Sequence, residues 1–200
     1  YQIFERGIRL DAIDIVKRVR IKFKVREISS HVSMSINPSE FVAFVGGSGA
    51  GKSTFMKCIS GVDRPTSGTV LMNENLYENY ENLKYNIGYV PQDDIVFSNL
   101  TLHDMLQYAA KLRMPDNTSK KERNQRIKEV LDIVSLTDFE NSFIRQLSGG
   151  QRKRASIAVE LLADPNLFFL DEPTSGLDPG TERSIMQTLR KMSQMGKTII

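Results

Sequence analysis

Three short stretches of the chain hold residue types suited to phosphate chemistry. The first is Gly46-Gly47-Ser48-Gly49-Ala50-Gly51-Lys52-Ser53-Thr54. Glycines let a backbone fold back until successive N–H groups converge on phosphate oxygens. A helix starting directly after them adds the partial positive charge of its N-terminus. Lys52 can then reach the β- and γ-phosphates of a nucleotide, and the Ser53 hydroxyl can ligate Mg²⁺. The second stretch is Leu167-Phe168-Phe169-Leu170-Asp171-Glu172, an apolar run ending in two carboxylates. Asp171 is suited to hold Mg²⁺, directly or through its water shell, and Glu172 is placed to polarise an attacking water. The third is Leu147-Ser148-Gly149-Gly150-Gln151, a second glycine turn before a helix, again offering N–H groups and a hydroxyl. One phosphate loop leaves that second turn without an evident nucleotide of its own. The simplest resolution is that it serves the nucleotide of another copy.

These residues need elements to position them. Short apolar runs recur at Phe41 to Val45, Ile87 to Val90, Leu167 to Leu170 and Ile199-Ile200. Such runs, separated by helical patterns, predict strands of a parallel sheet buried on both faces. The first of them precedes the glycine loop, and Thr54 to Ser60 reads as a helix closed by Gly61, so the loop lies between strand and helix. Ligands of open parallel sheets bind at the carboxyl ends of strands, which places Asp171 and Glu172 at the level of that loop. From Lys17 to Arg26, Val19, Ile21, Phe23 and Val25 alternate with Lys and Arg, predicting one half-exposed strand with Phe23 on its buried side. With Thr69-Val70-Leu71-Met72 it suggests a smaller antiparallel sheet.

Between Leu100 and Ala163 the pattern is helical. One face carries Leu102, Met105, Leu106, Ala109 and Leu112, and Pro115 ends it. Ser119-Lys120-Lys121-Glu122 has capping-box form before a helix with Ile127, Val130, Leu131 and Val134 inward. A third helix follows Gln151, and a fourth runs through Ile185, Leu189 and Met192 to Gly196. Met186, Met192 and Met195 read as packing. His31 and His103 read as ordinary surface or packing residues.

The bulk properties narrow the field. Two hundred residues with 40% hydrophobic and 26% charged suit one domain, or a core with a small lobe. The net charge of +3 is too small to argue for nucleic acid. No run approaches the roughly 20 apolar residues of a membrane span. The single Cys58 excludes an internal disulfide and agrees with a reducing cytoplasm. Residues 17–26 read as a solvated basic strand face. Arg152-Lys153-Arg154 reads either as a solvated helix turn or as cations approaching phosphate. The start at Tyr1 and the stop inside a strand at Ile200 suggest a fragment.

The order of motifs resembles the nucleotide-binding domain of ATP-binding cassette (ABC) proteins from about Ile8 to Ile200. The stretches Ile87-Gly88-Tyr89-Val90-Pro91-Gln92-Asp93-Asp94 and Asp171-Glu172-Pro173-Thr174-Ser175-Gly176-Leu177-Asp178 look most like the G-type exporters and bacterial relatives linked to forkhead-associated domains. The resemblance implies an α/β fold, a P-loop NTPase (RecA-like) core with an antiparallel β lobe and a helical lobe. Residues 8–90 and 164–200 would form the core and β lobe of a single domain, and 91–163 the helical lobe. ATP and Mg²⁺ would be bound, and Gln92 would touch both Mg²⁺ and the attacking water. Ser175 to Asp178 matches the loop that crosses the dimer interface.

Two copies would pack head to tail, with Lys52, Ser53, Gln92, Asp171 and Glu172 of one facing Ser148 and Gly150 of the other. A transmembrane partner, expected C-terminal in the same polypeptide, would hold the domain at the cytoplasmic face of a membrane. Two departures matter. The family's switch histidine would lie beyond Ile200, which implies weak turnover by these residues alone. No aromatic residue for adenine lies in Val16 to Arg20. Two further classes stand beside transport: a soluble ATPase of this family acting on ribosomes or DNA, and a nucleotide-sensing module. No sustained heptads separate Ser53 from Leu167, which disfavours the chromosome-maintenance branch. Glu172 argues against a pure sensor.

Overall fold

The computed structural model describes residues 7–21, 23–73, 75–76, 86–93 and 96–200. Lys22, within the expected strand from Lys17 to Arg26, and Asp94 of the Ile87 to Asp94 stretch lie outside them, as do the first six residues. The described residues divide into two compact units. The first holds the chain up to Ile87, Asn166–Asp171 and Met192–Ile200; the second holds Gly88–Pro165 and Glu172–Lys191.

In the first unit, β1 (Leu10–Ile21) and β2 (Lys24–Ile36) form an antiparallel hairpin. β3 (Ser67–Met72) pairs with the other edge of β1, and β4 (Asn75–Leu76) follows, giving the order β2-β1-β3-β4. Leu10, Ala12, Ile15, Val16, Ile36, Val70 and Met72 are buried. Register shifts on either side of Ile15 change which residues face inward.

The stretch expected to be one strand from Lys17 to Arg26 is the tip of this hairpin. Val19 pairs with Arg26, Arg20 with Val25 and Ile21 with Lys24, so the chain reverses at Phe23. Phe23 is 96% exposed, not on a buried side. The alternation is one of residue types on both sides of the turn. In burial it holds only on β1, where Lys17 and Val19 are less exposed than Arg18 and Arg20, while Lys24 to Glu27 are all exposed. No Gly, Asn, Asp or Pro marks the reversal, so period two ran through it unbroken.

α1 (Lys52–Ile59) buries Phe55, Met56, Cys58 and Ile59, and Gly61 follows with a φ of 75°. The Phe55 ring meets Phe44 edge to face at 5.7 Å. β6 (Leu167–Leu170) is buried along its whole length and pairs in parallel with β7 (Thr198–Ile199). The expected strand from Phe41 to Val45 is reduced to a parallel bridge between Phe41 and Ile199. Val42 N–H donates to Ile199 O at 2.8 Å, but Val45 is 94% exposed.

β5 (Ile87–Val90) carries the chain into the second unit. There α2 (Leu102–Arg113), α3 (Lys120–Ile133) and α4 (Gly149–Leu161) pack on one another. The Thr101 hydroxyl caps α2 by accepting from Asp104 N–H at 3.1 Å. Ser119 and Glu122 form the expected capping box on α3. Ile127, Val130, Leu131 and Val134 are all buried. On α2 the inward face is Leu102, Met105, Leu106 and Ala110. Leu112 is 85% exposed. At about 100° per residue it falls on the flank of that stripe. α5 (Pro179–Gln194) buries Ile185, Leu189 and Met192, whereas Met186 and Met195 are exposed. The methionine reading therefore holds for Met192 alone.

Candidate active site

The first candidate phosphate site is the first turn of α1. Gly51 is its N-cap with a φ of 89°, in the left-handed region, and a β-carbon there would come 2.9 Å from Ile28 O. Only glycine satisfies both conditions cheaply. No side chain caps the helix. The N–H groups of its first turn have no partner further up the helix, and with the dipole they suit an anion. Gly46 to Ala50 is an exposed turn closed by Ala50 N–H to Gly47 O at 3.2 Å. Lys52 curls back over it, its Nζ donating to Gly46 O at 2.8 Å and Gly47 O at 3.2 Å. Ser53 Oγ donates to Asp171 Oδ1 at 2.7 Å. Asp171 ends the buried run of β6 and is itself only 7% exposed. Ser48, Gly49 and Thr54 complete the segment, with Gly49 at a φ of 78°.

A hydroxyl and a carboxylate at this distance fit a hard divalent cation. Magnesium typically takes one or two protein oxygens and completes its shell with phosphate and water. Among the described residues no group of three or more His, Cys, Asp or Glu could hold a metal. Ser53 and Asp171 are therefore suited to a metal that arrives with phosphates.

The division between units falls between Asp171 and Glu172. Glu172 has a φ of 46°, uncommon for a residue with a side chain and a frequent mark of function. In the second unit its Oε2 accepts from the Gln92 amide at 3.2 Å. The sequence alone did not place these two side chains, eighty positions apart, in contact.

The second glycine turn is the N-terminus of α4. Ser148 is the N-cap: its Oγ accepts from Gln151 N–H at 3.3 Å, and its own N–H donates to Gln151 Oε1 at 2.7 Å. The Ser148 hydroxyl proton is not spent in this box and can still be donated. Gly149 lies against Leu177, its ideal β-carbon position 3.4 Å from Leu177 Cδ2, and Gly150 lies against the methyl of Thr181. The same Thr181 donates its hydroxyl to Asp178 Oδ2 at 2.6 Å. Asp178 Oδ1 accepts from the N–H groups of Gly180 and Thr181, both at 3.0 Å. Asp178 is thus an N-terminal cap of α5, and the Thr181 hydroxyl and main-chain donors hold its carboxyl below the usual range.

In Arg152-Lys153-Arg154 the middle residue is buried and the two arginines are half-buried, and all three reach main-chain carbonyls. Arg152 donates to Leu147 O at 2.5 Å, and Lys153 to Pro91 O at 3.1 Å and Gln92 O at 2.7 Å. Arg154 donates to Val134 O at 3.3 Å and Ser135 O at 3.4 Å. Each cation is used on main-chain carbonyls of its own unit. Seven residues after Lys153, Glu160 accepts from Tyr89 N–H at 3.3 Å and takes two bonds from the Arg113 guanidinium, at 2.8 and 2.5 Å. Burial pushes the Glu160 carboxyl up, against the pull of Arg113. The histidines are local partners: His31 meets Asp14 at 2.7 Å and His103 meets Glu140 at 2.8 Å.

A glycine loop capping α1, with its hydroxyl on a carboxylate that ends a buried strand, defines a P-loop nucleotide-binding core. Residues 29–175 match the profile of the ABC transporter family, and the chain belongs to that family. It is 44% identical over 170 residues to the ABC transporter ATP-binding/permease protein Rv1747 of Mycobacterium tuberculosis, covering 84% of this chain and 20% of that protein. It is 38% identical over 209 residues to the broad substrate specificity ATP-binding cassette transporter ABCG2 of Sus scrofa, covering 97% of this chain and 31% of that one. The chain thus spans a third or less of the length of these relatives. Among solved structures it resembles the dimeric bacterial ABC transporter cassette MJ0796, with a TM-score of 0.83 and 30% identity over 95% of this chain and 85% of that one. The fold is that of the ABC cassette, a P-loop core with an antiparallel sheet and a helical part. No helix among the described residues is long and apolar enough to cross a membrane.

Proposed function

We propose that these residues form a single ATP-binding and ATP-hydrolysing cassette that pairs head to tail with a second copy around two ATP molecules and powers a membrane exporter. Residues 8–90 and 164–200 act as core and β lobe, and 91–163 as the helical lobe. Gly46 to Thr54 wraps the phosphates, with Lys52 at the β- and γ-oxygens. Ser53, Gln92 and Asp171 would hold Mg²⁺, whose charge offsets that building on the phosphate oxygens.

Glu172 takes a proton from the attacking water, which Gln92 orients. The water oxygen bonds to the γ-phosphorus, the bond to the bridging oxygen breaks, and ADP leaves with the electron pair. The Ser148 to Gln151 turn acts on the partner's γ-phosphate, and Asp178 shapes the loop that meets the partner. Loss of the γ-phosphate removes the bridge between two positive glycine turns, and the pair opens. The membrane partner lies elsewhere in the polypeptide, with this domain on the cytoplasmic face.

The observation that carries this reading is the 2.7 Å contact between Ser53 and Asp171, the pair a magnesium nucleotide requires. Likeness to MJ0796, a dimeric cassette, supports the pairing. Likeness to ABCG2, a transporter, supports a role in transport, and the G-type motifs support transport outward.

The deciding experiment is Glu172→Gln in the full-length gene product. ATP binding should survive, turnover should fall by roughly a hundredfold or more, and ATP should hold the protein as a stable dimer in sedimentation. A variant that stays monomeric at saturating ATP would overturn the head-to-tail scheme.

A further inference from the structure

We propose that Lys153 is a positioning residue for Gln92, fixing the main chain from which that side chain reaches Glu172. The inference rests on the roles given above to Gln92 and Glu172.

Lys153 lies on α4 and is only 6% exposed. A buried ammonium needs polar partners, and the carbonyls of Pro91 and Gln92 are among those it meets. Both carbonyls lie past Val90, the last residue of β5. Beyond a strand end no ladder bond is assured, so such groups need another donor. Lys153 supplies it at the point where the chain turns toward the site.

The same helix holds this segment at a second place. Glu160 stands two turns further along α4, on the same face, and accepts from Tyr89 N–H. One helix therefore grips both sides of a four-residue stretch, an N–H at Tyr89 and the carbonyls of Pro91 and Gln92. The next group out is the Gln92 amide, 3.2 Å from Glu172. With its main chain fixed, Gln92 has only its own side-chain torsions to settle. Without Lys153 the two carbonyls turn toward water and the amide loses its aim. Lys153 bonds to the carbonyl of Gln92, so its effect passes through the main chain of that residue.

The test is a double-mutant cycle on ATP hydrolysis by the full-length protein, with Lys153→Met and Gln92→Ala singly and together. Methionine keeps the length and removes the donors. The single Lys153→Met change should lower kcat by roughly tenfold, as loss of a charge-assisted hydrogen bond would. The KM for ATP should stay within about twofold, because the effect is on chemistry and not on binding. Added to Gln92→Ala, it should lower kcat no further, since the group it positions is gone.

Wild-type turnover by Lys153→Met overturns the proposal. So does an equal loss in both backgrounds, which would mark a role in the fold alone. Wild-type turnover by Gln92→Ala is a different failure: it removes the catalytic reading of Gln92 itself. Lys153→Gln, which keeps a shorter donor, should recover part of the loss, and it decides the matter if Lys153→Met does not fold. Failure of both to fold assigns Lys153 to stability and overturns the proposal.

Discussion

The methyl group of Thr181 occupies the space that a β-carbon on Gly150 would need. Glycine is required at this position of the second phosphate turn by a neighbour on α5, in addition to any need for close approach to a ligand. Thr181 in turn is fixed by its hydroxyl bond to Asp178. The turn at the head of α4 and the cap of α5 are therefore one packed assembly.

Gly150→Ala should destabilise these 200 residues by about 1–3 kcal/mol, the usual cost of overpacking a tight contact. Thr181→Ser removes the methyl and keeps the hydroxyl for Asp178. In combination it should recover at least half of that loss, read from urea midpoints of the two variants. No recovery would show that Gly150 is constrained by something other than Thr181.

Removal of magnesium should abolish turnover. With EDTA, hydrolysis should fall to background and return when Mg²⁺ is added in excess. Ser53→Ala should raise the Mg²⁺ concentration for half-maximal activity by roughly tenfold or more, the scale of losses around metal sites. A magnesium titration of the variant that overlays wild type would exclude Ser53 as a ligand.

Glu160→Ala removes the acceptor that the Arg113 guanidinium and the Tyr89 N–H share. Breaking a buried pair costs about 3–5 kcal/mol. The Arg113 side chain is 37% exposed and regains water, so the expected loss is nearer 2 kcal/mol. Glu160→Gln, which keeps an acceptor, should lose less. Chemical denaturation of both variants provides the comparison, and equal losses would mean that the charge on Glu160, absent from both, carries the whole contribution.

The glycine loop, the acids after β6 and the capping box at Ser119 are legible in the sequence because each depends on residues close together along the chain. Their physics is local: a backbone torsion, a helix end, a strand end. The hairpin at Phe23 is not, because its reversal carries none of the residues that favour tight turns, and the alternation is continuous on both sides. The strand expected at Phe41 to Val45 rests on apolar content alone, which carries no information about pairing, and the chain forms a single bridge there. The carbonyl contacts of Arg152 to Arg154 are hidden for another reason. A run of cations on a helix usually faces water, and nothing in their spacing reveals that carbonyls from distant segments lie beneath them. The contact of Gln92 with Glu172 and that of Gly150 with Thr181 are likewise tertiary.

The cations that follow the second phosphate turn hold their neighbours by main-chain oxygen, and every residue has one. Whatever side chain stands at positions 91, 92, 134, 135 or 147, the acceptor remains. Substitutions at those positions leave the bonds intact so long as the backbone path is kept, while a change at Arg152, Lys153 or Arg154 cannot be compensated from the other end. The tolerance of this lobe to mutation is thus lopsided. A saturation scan would find three sharply intolerant cationic positions on α4, facing segments that accept nearly any residue as far as these bonds are concerned.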